Sequence, residues 1–542
     1  MAEQDGEFDV IVAGAGPVGL SLTIDLGRRG VRCLIMERDA TTAPWPKMDR
    51  SNARTMELYR RLGLADRIRA LGYPADNPMD VILTRSLNEA PIARIPFPSV
   101  AERRRMIAEC MDGTLPLEPY QLVSQNHIEP LLKMVAENET PNTTVRYGLE
   151  LVDFTEDAEG VTVTALTTDG AHQHFRCRYL VGADGGTSTV RKTLGIRLEG
   201  RPALADMRQV IFWSEDLYER IAAGKGRHYS LTSGGGFVAQ GDRKEFTFHT
   251  MLPADTDFEP VLREKIGFDC DLSIRHVTSW RPHLLLAERY GTNRVLLAGD
   301  AVHLVIPTGG LGMNTGVGDA FDLSWKLAGA IHGWGGAGLI ESYEIERRPV
   351  AQRNIEASGW AADGAALWLP FVTPEVDIEG PEGDAARARL AEAFLRDHGR
   401  MHGMVGAETC YSYAGSPLIA HEPGNQPHWE ISRIVPHGRP GIRIPHMWLK
   451  DGRALHDLIG DGFTLLDLAG DFDASALEGA FARIGAPFAI CRLDEPRLSA
   501  FFNASAFLLR PDLHIAWRGD HAPDEADALA RMATGHGPRF RR

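Results

Sequence analysis

The chain has few cysteines, and none is placed to do chemistry. Six are scattered through 542 residues, at positions 33, 110, 177, 270, 410 and 491. None forms a C-x-x-C pair, so zinc-ribbon and dithiol redox patterns are excluded and free thiols in a reducing compartment are expected. Long apolar runs are missing too: none reaches the ~18 residues that a membrane span requires. Positive charge is in deficit, with 58 Lys and Arg against 73 Asp and Glu and a net charge of −15. That excess of acid argues against nucleic acid or an anionic membrane surface as a partner. The first residues, Met1 to Glu7, are acidic and carry no apolar core of an export signal. These absences predict a cytoplasmic protein without a metal site. Apolar residues make up 44% and charged residues 24%, the balance of a globular chain, and the length calls for two or three domains.

What is present begins near the N-terminus. Phe8 to Ala13 reads as a short apolar strand, followed by Gly14-Ala-Gly16-Pro-Val-Gly19, a helix to Arg29, and a second strand from Val31 to Met36 ending at Glu37. This is a complete βαβ dinucleotide fingerprint. The first glycine makes the turn, the second admits a pyrophosphate, and the third lets helix and strand pack. Glu37 lies 21 residues after Gly16, the offset of an acid that holds ribose hydroxyls. The motif alone does not separate FAD from NAD.

A second strand–turn–helix spans Arg294 to Ala330. The apolar run before Gly299 predicts a buried parallel strand, Asp300 sits at its end, and Gly309, Gly310 and Gly312 open a helix. A helix N-terminus carries unpaired N–H groups and a partial positive charge, so it favours an anion or a polarised carbonyl. Asp300 at a strand end suits the hydroxyls of a sugar-like chain. A third such stretch runs Tyr179-Leu-Val-Gly182-Ala-Asp184-Gly185-Gly186 to Arg191. Between and after these, the pattern predicts a helix over 120–135, strands over 143–153 and 161–167, a β-rich segment over 196–285, mainly helix over 331–400, and mixed strands and helices beyond 410.

Gly14–Gly19, Gly182–Arg191 and Gly299–Asn314, in this order and spacing, resemble the three FAD signatures of the class A flavoprotein aromatic monooxygenases, the para-hydroxybenzoate and phenol hydroxylase family. Gly415-Ser-Pro-Leu418, Trp448 to Gly452, Leu508 to Pro511 and Ala516-Trp-Arg518 resemble the thioredoxin-like C-terminal domain of its larger members. The resemblance implies an α/β fold in three parts: a Rossmann-type FAD-binding domain from 1–76, 106–195 and 286–400, a β-rich substrate-binding domain from 77–105 and 196–285, and a thioredoxin-like domain over 410–542. It also implies a homodimer.

On this resemblance Gly14, Gly16 and Gly19 pack on the FAD pyrophosphate, and Glu37 holds the ribose with Arg38 beside it. Gln125 contacts the flavin linker, Asp184 serves FAD and NAD(P)H, and Asp300 binds the ribitol chain. Pro307, Gly310, Leu311, Gly312, Met313 and Asn314 face the isoalloxazine ring. No second G-x-G-x-x-G is visible, as expected of a family that binds NADH or NADPH transiently. The implied reaction hydroxylates a phenolic ring ortho to an existing hydroxyl, with O₂ as co-substrate, through a flavin C4a-hydroperoxide. Asp49, in Met48-Asp49-Arg50, falls where phenol hydroxylases carry an active-site aspartate and is the candidate base. His249 falls where they carry a substrate-binding tyrosine and is the second candidate. Tyr229 and Phe237 are candidate lining residues, and His303 is read as structural. The competing readings are a Baeyer–Villiger or epoxidising oxygenase of a polyketide-like substrate, a flavoprotein reductase that avoids oxygen, and a non-catalytic flavin-binding protein.

Overall fold

The computed structural model describes residues 7–424 and 428–537. The acidic start of the chain, Met1 to Gly6, lies outside the described residues, as do 425–427 and 538–542 of the C-terminal span. At the centre stands a run of five parallel strands in the spatial order Thr143–Tyr147, Cys33–Glu37, Glu7–Ala13, His172–Gly182, Val295–Leu297. These strands are apolar on both faces because both are covered: Val10, Ile11, Val12, Leu34, Ile35, Leu180, Val181 and Leu297 are all buried in one core. The long strand His172–Gly182 also carries an antiparallel extension, Val161–Thr167 and then Leu149–Glu156. The stretch 143–153 is therefore two strands that meet at Gly148, whose φ of +69° turns the chain.

The helix expected over 120–135 starts later and runs further, Gln125–Asn138. Gln121–Leu122 instead pairs with Arg50–Ser51 as a two-stranded ribbon. The Gln121 side chain holds it there by donating to the carbonyls of Tyr73 and Leu122 at 3.0 Å each.

A second seven-stranded sheet has the order Ser273–Trp280, Met207–Trp213, Glu245–Thr250, Gly236–Ala239, His228–Leu231, Val81–Thr84, Ala93–Ile95. Val81–Thr84 enters it parallel to His228–Leu231, so two segments distant in sequence share one sheet. One face is a closed apolar core in which Phe212, Phe237, Phe246 and Phe248 pack with Phe258 and Leu262 of the helix Phe258–Ile266. Tyr229 and Phe237 belong to that core, each 1% exposed. They do not line a pocket, because period-two alternation turns them away from the face that carries His228 and His249.

The C-terminal region forms a four-stranded sheet in the order Phe488–Arg492, Phe463–Asp467, Ala506–Leu509, Ile515–Gly519, flanked by the helices Ser475–Ile484 and Ala526–Ala533. It is joined to the helix Gly312–His332 by a shared core of Trp325, Trp334, Phe463 and Phe481. Beside this core lies a buried ion network. Arg510 donates to Glu346 at 2.6 and 2.9 Å, to Asp512 at 2.7 Å and to Asp322 at 3.2 Å, while Lys326 reaches Asp322 at 2.7 Å and Glu346 at 2.6 Å. Burial raises the pKa of Asp322, whereas Arg510 and Lys326 outweigh burial at Glu346 and lower it. Removing one cation strands its buried carboxylates. Arg510→Met is expected to cost about 3–5 kcal/mol and to lower the thermal midpoint of the protein; a loss below ~1 kcal/mol would show the network to be solvated.

Candidate active site

The nucleotide half of the site is built by three turns at the ends of neighbouring parallel strands. Gly14 follows the strand Glu7–Ala13 with φ +99°, and a Cβ there would lie 2.4 Å from the carbonyl oxygen of Ala183. A Cβ on Gly19 would lie 2.0 Å from the oxygen of Gly14, which is the close helix–strand approach read from the motif. Gly16 differs: its Cβ would meet nothing nearer than Glu129 Oε1 at 3.9 Å. The space there is kept open on the ligand side, at the N-terminus of the helix Pro17–Arg28. Glu37 closes the turn, one oxygen accepting from Ala15 N at 2.8 Å and the other from Asp39 N at 3.1 Å. Arg38 is exposed next to it.

Asp184 caps the short helix Thr189–Thr193, accepting with Oδ2 from Thr189 N at 2.7 Å and Val190 N at 3.1 Å, and its Oδ1 is buried with no partner. Arg191 ties this turn to the next by donating to the carbonyls of Ala301 and Gly186 at 3.0 Å each. Asp300 lies in that next turn, Gly299–Ala301. Its side chain is exposed, yet protein crowds it on enough sides that burial raises its pKa, with smaller opposing pulls from His303 and Lys47. Exposure and crowding together describe a carboxyl lining a deep cleft. Lys47, which the sequence reading left without a role, is thus a cation at the same cleft. Gln125 is committed within the protein: it accepts from Lys47 N at 3.0 Å and donates to Glu129 at 2.5 Å, and Glu129 in turn accepts from Ala43 N at 3.0 Å. This strap holds the loop 41–49 against the helix below it.

His303 is fully buried and paired with Asp319 at 2.7 Å, which also holds Arg347 at 2.7 Å and accepts from Gly299 N at 3.1 Å. The network props the Gly299–Ala301 turn from behind. The turn 307–310 closes with Gly310 N donating to Pro307 O at 2.9 Å, and the helix Gly312–His332 starts directly after it. Leu311 is buried, anchoring the turn beside Met404 and Ala361, and Met313 packs on the central core. Asn314 fastens the helix start to the facing loop: its Oδ1 accepts from Asn52 N at 2.9 Å and its Nδ2 donates to Arg50 O at 3.0 Å and Gly310 O at 2.6 Å. The N–H groups of the first helical turn have no partners within the helix and can meet charge on a planar ligand.

Across from that turn the structure brings Asp49 and His249 together. Asp49 forms a salt bridge with Arg227. Burial in the cleft pushes the Asp49 carboxyl up, but the Arg227 guanidinium outweighs it, with His249 and Arg50 adding, and holds the group below the ordinary carboxylate range. His249 is shifted down by burial, against the pull of Asp49. A second pair, Arg50 with Glu408 at 2.7 Å, lies beside them, its guanidinium 4.9 Å over the Tyr120 ring. Neither Arg227 nor Glu408 was singled out by sequence; each is far along the chain from its partner, with no local signal.

A model of an FAD binding domain matches residues 7–358, and one of the C-terminal domain of aromatic-ring hydroxylases matches residues 437–536. The chain belongs to the FAD-dependent aromatic-ring hydroxylases. Among similar proteins, the FAD-dependent monooxygenase apdD of Emericella nidulans is 33% identical over 97% of this chain and 90% of its own length. Aklavinone 12-hydroxylase RdmE of Streptomyces purpurascens is 32% identical over 96% and 97%. The rebeccamycin biosynthetic enzyme RebC, solved with reduced flavin, superposes with a TM-score of 0.88 at 31% identity, covering 98% of this chain and 99% of that one. This flavoprotein hydroxylase therefore uses FAD, NAD(P)H and O₂. The cleft fits FAD on its own evidence: the open flank of Gly16, the unpartnered Asp184 Oδ1, the crowded Asp300 carboxyl and the helix start after Gly310. Among the described residues no cluster of His, Cys, Asp and Glu could hold a metal ion, and no helix is long and apolar enough to cross a membrane.

The groups around Asp49 also set a pH expectation. A carboxyl held low stays ionised as the pH falls through its usual ~4, and imidazoles held low stay neutral where a free one, near ~6.5, would gain a proton. Binding of a neutral phenolic ligand, read from the bound flavin's absorbance, should be flat between about pH 6 and 8. An inflection near ~6.5 would show that a site imidazole keeps its ordinary affinity for protons.

Proposed function

We propose that this enzyme hydroxylates a phenolic ring, ortho to a hydroxyl that sits against Asp49, with NADH or NADPH as the electron donor. The observation that carries this is the Asp49 carboxylate, held ionised by Arg227 at the open cleft beside His249. Bound FAD supplies hydride acceptance and oxygen activation; the protein supplies position and field. Asp49 accepts a hydrogen bond from the substrate O–H. As the ring begins to lose electron density to oxygen, the phenolic proton shifts toward that carboxylate, which raises density at the ortho and para carbons. Glu37 and Gly14, Gly16 and Gly19 bind the adenosine and pyrophosphate, Asp300 the ribitol, and the first turn after Gly310 the negative charge that develops on the reduced ring. Gln125 and Asp184 hold the surrounding loops in register.

The C-terminal unit supports a thioredoxin-like reading. Its elements run β-α-β-α-β-β-α, with the first strand parallel to the second and antiparallel to the third. The described residues of this unit hold only the separate thiols Cys410 and Cys491, which suits a structural rather than a redox role. Its ion network and shared core brace the helix whose N-terminus faces the flavin site.

The test is oxygen uptake by the FAD-loaded protein with NADH or NADPH, with catalase added to measure H₂O₂, across phenols, resorcinols, hydroxybenzoates and larger polyphenols. Stimulated uptake with little peroxide supports the reading. Turnover of a ketone to an ester would instead favour the Baeyer–Villiger alternative. Electron transfer to dyes with no stimulated oxygen uptake would favour a reductase.

A further inference from the structure

The cleft contains a set of imidazoles that the reaction at Asp49 does not use. His228 lies on the same sheet as His249 and on the same face. The register pairs His228 with Val238 and Val238 with Thr247, and His249 follows Thr247 by two residues. Two strand spacings sideways and one two-residue step along place the two Cα atoms ~12 Å apart. His249 belongs to the Asp49 end. His228 marks the other, where it meets a second layer: the His402 ring stands edge-on to it at 5.0 Å, with the Phe97 ring 5.1 Å from His402 on another side. Behind His402, at 6.0 Å, His398 is pinned by Trp368, whose Nε1 donates to His398 Nδ1 at 3.1 Å, and by stacking on Phe394 at 4.3 Å. His398 is therefore structural, and the fixed base on which His402 rests.

His228 and His402 are otherwise unused. Neither imidazole makes a hydrogen bond among the described residues, and Nε2 of His402 is buried without a partner. Both rings are half-buried. A buried polar atom left unpaired is costly and is normally satisfied; the buried Nε2 of His402, with the His228 ring facing it across one cleft beside a ring-lined wall, forms a receptor for a ligand atom. Its charge is legible as well. The nearby cations are matched, Arg227 by Asp49 and Arg50 by Glu408, and burial together with those cations keeps both imidazoles neutral. A neutral imidazole offers one donor and one acceptor, which suits a hydroxyl or carbonyl oxygen rather than a carboxylate or an ammonium.

We propose that His228 and His402 form a specificity site that hydrogen-bonds a second, uncharged oxygen of the substrate, remote from the hydroxyl held at Asp49. The separation of the two ends selects a substrate whose oxygens lie on different rings of a fused aromatic system. This deepens the hydroxylation reading and rests on it only for the identity of the Asp49 end.

The experiment titrates three probes against the FAD-loaded enzyme, read as perturbation of flavin absorbance without NAD(P)H: 1-naphthol, 1,5-dihydroxynaphthalene and 5-hydroxy-1-naphthoic acid. The wild type is expected to bind the diol about tenfold tighter than 1-naphthol, as one hydrogen bond to an otherwise unpaired group gives, and to gain nothing from the carboxylate. His402→Phe and His228→Phe should bring the diol down to the affinity of 1-naphthol, leaving 1-naphthol itself and the FAD content unchanged. His402→Gln, which keeps a donor and an acceptor, should retain part of the preference. An unchanged ratio in both Phe variants, no preference in the wild type, tighter binding of the acid, or no binding of any probe would each overturn the proposal. Because the readout is binding, it is separable from the chemistry. A histidine-dependent preference without substrate-coupled oxygen uptake would keep this site and remove the hydroxylation reading; coupled uptake without the preference would do the reverse.

Discussion

Asp49→Asn is expected to lower the rate of ring hydroxylation by roughly 10²–10⁴-fold, the range of a positioned base, while FAD stays bound and NAD(P)H oxidation continues with its oxygen released as peroxide. Asn keeps the shape of the side chain and one acceptor oxygen but loses the negative charge that polarises the substrate O–H. It also leaves Arg227, 2% exposed, without its counterion. Structural damage must therefore be separated from lost chemistry, by flavin content and by thermal unfolding of the holoenzyme. Two features distinguish the proposed role. The split between reductive and oxidative halves should be large, because Asp49 acts only once a ring is in place. Substrates that are already ionised at the assay pH should lose much less than neutral phenols. Equal loss for both kinds of substrate would assign Asp49 to holding Arg227 in place rather than to the proton.

Gly14→Ala is expected to abolish retention of FAD. The residue has φ +99°, and the new Cβ would lie 2.4 Å from Ala183 O, 2.8 Å from Ala183 C and 2.9 Å from Asp184 Cα. These are backbone atoms of the turn that carries Asp184, so relief requires moving two strand ends of the central sheet apart. Backbone strain alone costs about 1–3 kcal/mol, and the contact adds to it, so a weakening of FAD affinity by at least ~100-fold is expected. Gly16→Ala is the informative comparison. Its Cβ has room in the protein and would intrude only on a bound ligand, so the apoprotein should fold with unaltered stability and still bind FAD more weakly. The measurement is flavin per polypeptide after purification, then titration of FAD into apoprotein by fluorescence quenching. Full retention in Gly14→Ala would contradict the geometry of the three adjoining turns.

The nucleotide half of this molecule was legible because its signals are local. Each turn needs particular residues at fixed offsets: Gly14 for a positive φ, Gly19 for close packing, Glu37 at the end of the next strand, Asp300 before a glycine-rich helix start. The apolar strands between them are recognisable because both faces are covered. The other half was less legible, because its geometry is made by pairs distant in sequence. Arg227 reaches Asp49 across 178 positions and Glu408 reaches Arg50 across 358; neither partner carries a pattern of its own. Tyr229 and Phe237 were attractive as lining residues by type, but alternation along the strand placed them in the core and turned their neighbour His228 to the cleft. The helix expected from 120 was displaced by the Gln121 hydrogen bonds to Tyr73 and Leu122, a tertiary effect that periodicity does not register. Even the buried Arg510 network follows this rule, since it assembles residues of two helices and of the turn between two C-terminal strands.

With Asp49 positioning the substrate, one atom of molecular oxygen is expected to enter the aromatic ring. The most direct measurement is mass spectrometry of the product formed under ¹⁸O₂ by the FAD-loaded enzyme with NADH or NADPH, using the polyphenol that best stimulates uptake. The expected product carries a single ¹⁸O, as a new hydroxyl ortho to an existing one, with none acquired from H₂¹⁸O in the reverse labelling. A product without label from O₂, or with the label inserted between two carbons rather than added to the ring, would contradict it.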